Sequence, residues 1–191
     1  MNENKNIHSE IIESPIIGLV GDKGSGKTLF LRALAQEFHN EKLNVYANFQ
    51  IFGIDYTHIN FTYLADLPDN LRDGVILLDE AQMGLDAYKW YDKQSTKLSK
   101  LFTQLRKRNL EIVYSTQRWP TVNYRVRDIT DYIFAFEAGR DSEDHLIKGT
   151  SLISISNRSR ATRADPAYKQ LIFDGRKYFG MYNTDEIIEN E

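Results

Sequence analysis

Residues 16–20 (Ile16-Ile17-Gly18-Leu19-Val20) are a short apolar run after Pro15 that ends at a glycine-rich segment, the pattern of a strand buried on both faces. From Lys27 the apolar residues Leu29, Phe30, Ala33, Leu34 and Phe38 recur at helical spacing and predict a helix that stops near Asn40. Residues 44–49 read as a second strand, and Val75, Ile76, Leu77 and Leu78 as a third that closes in Asp79 and Glu80. Residues 96–108 put Leu98, Leu101, Phe102 and Leu105 on one face, predicting an amphipathic helix with Ser95 or Thr96 as its N-cap. Residues 110–115 then form a fourth strand and residues 131–138, with Tyr132, Ile133, Phe134 and Phe136, a fifth. This alternation predicts an α/β fold: a mainly parallel sheet with right-handed crossovers, flanking helices, and ligands at the carboxyl ends of the strands. After about Gly139 the pattern changes. Residues 151–156 alternate polar and apolar and residues 176–182 are aromatic-rich, which predicts a small C-terminal β-ribbon at the sheet edge.

A length of 191 residues suits one domain, expected over residues 16–184 between a flexible polar lead-in at 1–15 and an acidic tail at 185–191. With 41% hydrophobic and 27% charged residues the chain has ordinary globular composition. It has no cysteine, which excludes disulfides and thiolate metal sites and leaves oxygen or imidazole to hold any metal. His8, His39, His58 and His145 are scattered without zinc spacing. The apolar runs fall far short of the roughly 18 residues of a membrane span, and the polar N-terminus lacks a secretory apolar core, so a soluble, unexported chain without a transmembrane segment is expected.

The segment Gly21-Asp22-Lys23-Gly24-Ser25-Gly26-Lys27-Thr28 fits G-x-x-x-x-G-K-T. Its glycines let the backbone curl so that successive N–H groups and a helix N-terminus face the phosphates of ATP. Lys27 then reaches the β- and γ-phosphates, and the Thr28 hydroxyl is a ligand for Mg²⁺. The predicted strand before the segment and helix after it are the context this chemistry needs. Asp79 and Glu80 leave the third strand at the same edge. Asp79 is placed to hold the metal, directly or through water, and Glu80 to orient or deprotonate the attacking water. Gln117, at the end of the fourth strand, is placed to bond both the γ-phosphate and that water.

The chain carries a formal charge of −3, spread unevenly. Lys97, Lys100, Arg106, Lys107, Arg108, Arg118, Arg125 and Arg127 form a basic island, and Arg158, Arg160 and Arg163 a second cluster, open to nucleic acid phosphates, to a partner subunit, or simply to solvent. Residues 83–93, with Tyr88, Trp90 and Tyr91, suit either a loop that touches DNA or the next subunit, or core packing.

The motifs GDKGSGKT, VILLDEAQ, RKRNLEIVYSTQR and YFGMYNTDE, spanning residues 16 to about 187, resemble the FtsK/HerA-type DNA-pumping P-loop ATPases, especially the genome-packaging ATPases of icosahedral viruses with internal membranes. The resemblance implies a RecA/FtsK-like core and an arginine finger, Arg108 or Arg106, that reaches a neighbour's ATP. It further implies ATP and Mg²⁺ as cofactors, double-stranded DNA as substrate, a homo-oligomeric ring (a hexamer), capsid or vertex proteins as partners, and action in the virion and host cytoplasm. Phage assembly ATPases related to zonula occludens toxin share the strand-glutamine arrangement and move protein instead; those typically carry a membrane segment. A small-molecule kinase is a further alternative, for which no acceptor-binding signature is present.

Overall fold

The structure, a computed structural model, describes residues 16–66, 68–83, 104–157 and 169–181. In chain order the elements are β1 (Ile16–Val20), α1 (Lys27–Asn40), β2 (Asn44–Ala47), β3 (Thr57–His58), α2 (Phe61–Asp66), β4 (Gly74–Leu78), β5 (Leu110–Thr116), α3 (Tyr124–Ile129), β6 (Tyr132–Arg140), β7 (Leu146–Asn157) and β8 (Lys169–Asp174). Short 3-10 turns occupy Ala81–Met83, Arg106–Arg108, Trp119–Thr121 and Arg176–Met181.

The strands form one eight-stranded sheet in the order β3-β2-β4-β5-β1-β6-β7-β8. From β3 to β6 every pairing is parallel, and β6-β7 and β7-β8 are antiparallel. Strand β5 lies between β1 and β4, with Val20 opposite Thr116 and Leu78 opposite Tyr114. The carboxyl ends of these three strands therefore finish level, and whatever follows each strand is delivered to one edge.

Burial explains the unbroken apolar runs. Ile17, Leu19, Val45, Ala47, Val75, Leu77 and Val113 face α1 on one side of the sheet. Ile16, Tyr46, Ile76, Leu78, Ile112 and Tyr114 face a second core with Leu64, Leu105, Val122 and Val126 on the other. Because side chains alternate across a strand, covering both faces makes every position apolar. Helix α1 is buried over a broader arc than its one-stripe pattern indicates, with Leu31, Arg32 and Ala35 also inside. The Arg32 guanidinium is tolerated there because it donates to Gln50 O at 2.6 Å and lies 5.0 Å from the Phe49 ring centroid.

Residues 151–156 fall within β7, whose antiparallel partners are β6 and β8. The aromatic segment that follows departs from expectation. Residues Arg176–Met181 form a 3-10 turn and not a strand, with Tyr178 buried and Lys177 and Phe179 exposed. Most of the amphipathic helix expected at 96–108 lies outside the described residues, as do the lead-in, the acidic tail, Tyr88, Trp90 and Tyr91. Leu105, at its end, is fully buried as its pattern requires.

Candidate active site

Residues 21–28 turn back over the end of β1 and start α1. Gly24 and Gly26 hold φ of 82° and 97°, conformations glycine adopts without strain. Gly26 must also lack a side chain because a Cβ there would overlap the Ser151 hydroxyl. That hydroxyl donates to Ser25 O at 2.7 Å and is buried, so β7 fixes the loop from the side. The Lys27 ammonium folds back on the loop, donating to Gly21 O at 2.7 Å and Asp22 O at 2.9 Å. Burial pushes its pKa below the usual lysine value, opposed by the charges of Asp79, Glu80 and Asp22.

The two candidate metal ligands meet directly: Thr28 Oγ1 donates to Asp79 Oδ2 at 2.6 Å. Asp79 is held on every other side. Its N–H donates to Asn48 Oδ1 at 2.7 Å, its carbonyl accepts from Asn48 Nδ2 at 2.9 Å, and its Oδ1 accepts from the Ser115 hydroxyl. The same hydroxyl accepts from Glu80 N–H at 3.1 Å. Glu80 takes φ of 49°, rare for a residue with a Cβ and costing about 1–3 kcal/mol. Its carboxylate accepts at 3.2 Å from Gln117 Nε2 and also from Gln82 Nε2. Strands β1, β4 and β5 thus bring the phosphate loop, Asp79, Glu80 and Gln117 to one place.

Comparison with known proteins gives the same frame. A family model described as Zonular occludens toxin (Zot) matches residues 54–138. No curated protein matches the sequence. The structure superposes on the N-terminal domain of zonular occludens toxin from Neisseria meningitidis with a TM-score of 0.57 at 18% identity, covering 92% of this chain and 97% of that one. It superposes on the genome packaging NTPase B204 from Sulfolobus turreted icosahedral virus 2, in complex with AMPPCP, with a TM-score of 0.56 at 16% identity, covering 83% and 96%. For the flagellar accessory protein FlaH from Methanocaldococcus jannaschii the values are 0.58, 12%, 90% and 92%.

The fold is that of the P-loop ATPases. Within it the chain resembles both the viral packaging enzyme and the toxin domain.

Arg106 and Arg108 are not brought to this edge of the P-loop fold. They precede β5, whose seven residues separate them from Gln117 by roughly 20 Å. Arg108 is engaged within its own chain, donating to Pro68 O at 2.6 Å and Gln104 Oε1 at 3.1 Å, with Asp69 3.7 Å away. Arg106 is exposed; burial raises the pKa of Asp131, opposed by the Ile16 N–H bond and by the charge of Arg106. Lys107, Arg118 and Arg125 are exposed and Arg127 half-buried, while Lys97, Lys100, Arg158, Arg160 and Arg163 lie outside the described residues. Among the described residues no three His, Cys, Asp or Glu side chains group as a metal site, and no helix is long and apolar enough to cross a membrane.

Asn48, Ser115, Gln82 and Ser151 belong to the site and carry no motif signal strong enough to assign them. Asn48 directly follows β2, Ser115 is next to last in β5 and Gln82 closes the VILLDEAQ segment, so position at the carboxyl edge is the only signal they offer. Nothing in the sequence points to Ser151, which is 126 residues from its partner.

Proposed function

We propose that the chain hydrolyses ATP and couples hydrolysis to moving double-stranded DNA through a homo-oligomeric, hexameric ring, packaging a viral genome into a capsid. The observation that best supports hydrolysis is the joined pair of contacts, Thr28 to Asp79 and Glu80 to Gln117, at the ends of adjacent strands. In this reading the amides of Gly21, Asp22, Lys23, Gly24, Ser25 and Gly26 cradle the phosphates. Lys27 exchanges the loop carbonyls for phosphate oxygens. Thr28 and Asp79 offer the hard oxygen donors that suit Mg²⁺, an ion that binds through one or two carboxylates and completes its shell with phosphate and water. Bound there, the metal would neutralise charge on the phosphates. Glu80 orients or deprotonates water, and Gln117, already on the Glu80 carboxylate, ties that carboxylate to the γ-phosphate.

Standing at the opposite end of β5 from Gln117, an arginine finger at Arg106 or Arg108 would have to act on a neighbour's site, so this reading requires ring assembly for turnover. Arg106, being exposed, is better placed for this than Arg108, whose guanidinium holds the turn at residues 68–71. Capsid or vertex proteins would dock the ring, and the virion and host cytoplasm are where it would act. A second reading, an assembly or secretion ATPase with protein as cargo, is favoured by the Zot model over residues 54–138.

Steady-state ATP turnover with and without duplex DNA tests both. Glu80→Gln is expected to lower turnover about 100-fold or more while ATP still binds; full activity would sink the mechanism. Arg106→Ala subunits should regain turnover when mixed with Lys27→Ala subunits, because the mixture contains interfaces with both residues intact. Stimulation by DNA that weakens steeply with salt supports packaging, and indifference to DNA supports the protein-cargo reading.

A further inference from the structure

A loop that holds phosphates leaves the base of the nucleotide to be seated elsewhere. Ser151 fixes β7 against the loop at Ser25. Two residues earlier, at most roughly 7 Å along the chain and where the register of β7 against β6 shifts, stands Gly149 with φ of 83°. A Cβ at Gly149 would overlap the tip of the Phe179 ring and lie 3.1 Å from Arg176 Cγ. The Arg176–Met181 turn is fastened beneath that ring. Gly175 N–H donates to Gly149 O at 2.9 Å and Tyr178 N–H to Gly175 O at 2.8 Å. Tyr178 is buried and stacks on Phe173, with centroids 6.5 Å apart and planes inclined by 16°. Gly175 packs on Leu29, where a Cβ would come within 2.6 Å of Leu29 Cδ2. Leu29 directly follows Thr28 in the first turn of α1.

The turn is therefore tied to both β7 and the start of α1, and yet it leaves Phe179 38% exposed. An exposed aromatic held rigidly beside a phosphate loop is a stacking surface, because every nucleobase presents a π-face. We propose that Phe179, standing on Gly149, is the platform on which the purine base of the bound nucleoside triphosphate stacks. This rests on residues 21–28 binding the phosphates. Arg176 does not compete for them, since its guanidinium is paired with Asp174 at 2.5 and 2.9 Å.

The experiment compares ATP, GTP and inorganic tripolyphosphate binding by calorimetry in the unaltered chain, Phe179→Ala, Phe179→Trp and Gly149→Ala. Phe179→Ala should weaken ATP and GTP alike by roughly tenfold or more, leaving tripolyphosphate within about twofold. Phe179→Trp should restore or tighten both nucleotides, and Gly149→Ala, which displaces the ring, should follow Phe179→Ala. An ATP affinity unchanged in Phe179→Ala overturns the platform and leaves the phosphate loop standing. Parallel loss of ATP and tripolyphosphate also overturns it, making the turn a support for the loop. Failure of the unaltered chain to bind tripolyphosphate overturns the phosphate-loop reading and the platform with it.

Discussion

Ser115 is fully buried at the end of β5, and its hydroxyl both donates to Asp79 Oδ1 and accepts from Glu80 N–H. Both contacts run to the paired acids, so its effect is to hold the two in fixed relation. Ser115→Ala takes one of two partners from a buried carboxylate oxygen and from a part-buried amide, which still bond each other at 3.1 Å, so the expected loss is about 1 kcal/mol in unfolding free energy. The expected kinetic result is a kcat about ten- to 100-fold lower with KM for ATP nearly unchanged, because the phosphate loop is untouched. A raised KM at constant kcat would show instead that Ser115 supports binding. At this scale the sequence was informative where chemistry demands contiguity: the loop at 21–28 and the pair Asp79-Glu80 announce themselves within a few residues. Asn48 and Ser115 reach Asp79 across 31 and 36 residues, and no local pattern encodes such a partner. Nor does spacing reveal the left-handed backbone at Glu80 that turns its carboxylate toward Gln117 and Gln82.

Helix α1 ends in a double hydrogen bond, Leu43 N–H to Phe38 O at 3.0 Å and Lys42 N–H to His39 O at 2.9 Å, the paired closure of a Schellman motif. Lys42 is its left-handed residue, with φ of 62° and an exposed side chain. Glycine takes that conformation without the Cβ conflict, so Lys42→Gly should raise stability by about 0.5–1 kcal/mol in urea unfolding, with the m-value unchanged. The helix itself was readable because an apolar stripe runs between Lys27 and Asn40. Strands β1, β4 and β5 were readable because burial on both faces makes them apolar throughout. Elements of two to six residues, β3, α2 and α3, are too short to show a period. The error at residues 176–181 has a physical cause: clustered aromatics suit a strand, but here Tyr178 alone turns inward, at the tight spacing of a 3-10 turn packed under α1.

Across the molecule the two edges of the parallel strands do different work. The carboxyl edge gathers Lys27, Thr28, Asp79, Glu80 and Gln117, whereas the amino edge gathers groups that fasten the chain, among them Arg108 on Pro68 and Asp131, whose N–H donates to Ile16 O at 2.9 Å. Glu111, second residue of β5, belongs to the fastening edge and weakens it. Burial, with a smaller contribution from the like charge of Glu41, lifts its pKa from 4.5 to about 7, and its Oε2 is buried without a hydrogen-bond partner. Below about pH 4.5 the group is protonated in both folded and unfolded chains and has no effect. Between 4.5 and 7 the unfolded chain ionises first, so stability falls as pH rises, and above 7 the deficit is constant. Glutamine cannot ionise, so Glu111→Gln should be more stable than the unaltered protein near pH 8 by about 1–2 kcal/mol, after allowing for solvent screening at a partly exposed strand residue. That advantage should shrink to nothing on titration toward pH 4.5, as followed by urea unfolding at several pH values. Because some 15–20 Å of strand separates Glu111 from Gln117, ATP turnover per folded subunit should not change. A pH-independent gain would trace the effect to packing, and a change in turnover would show that the two edges are coupled.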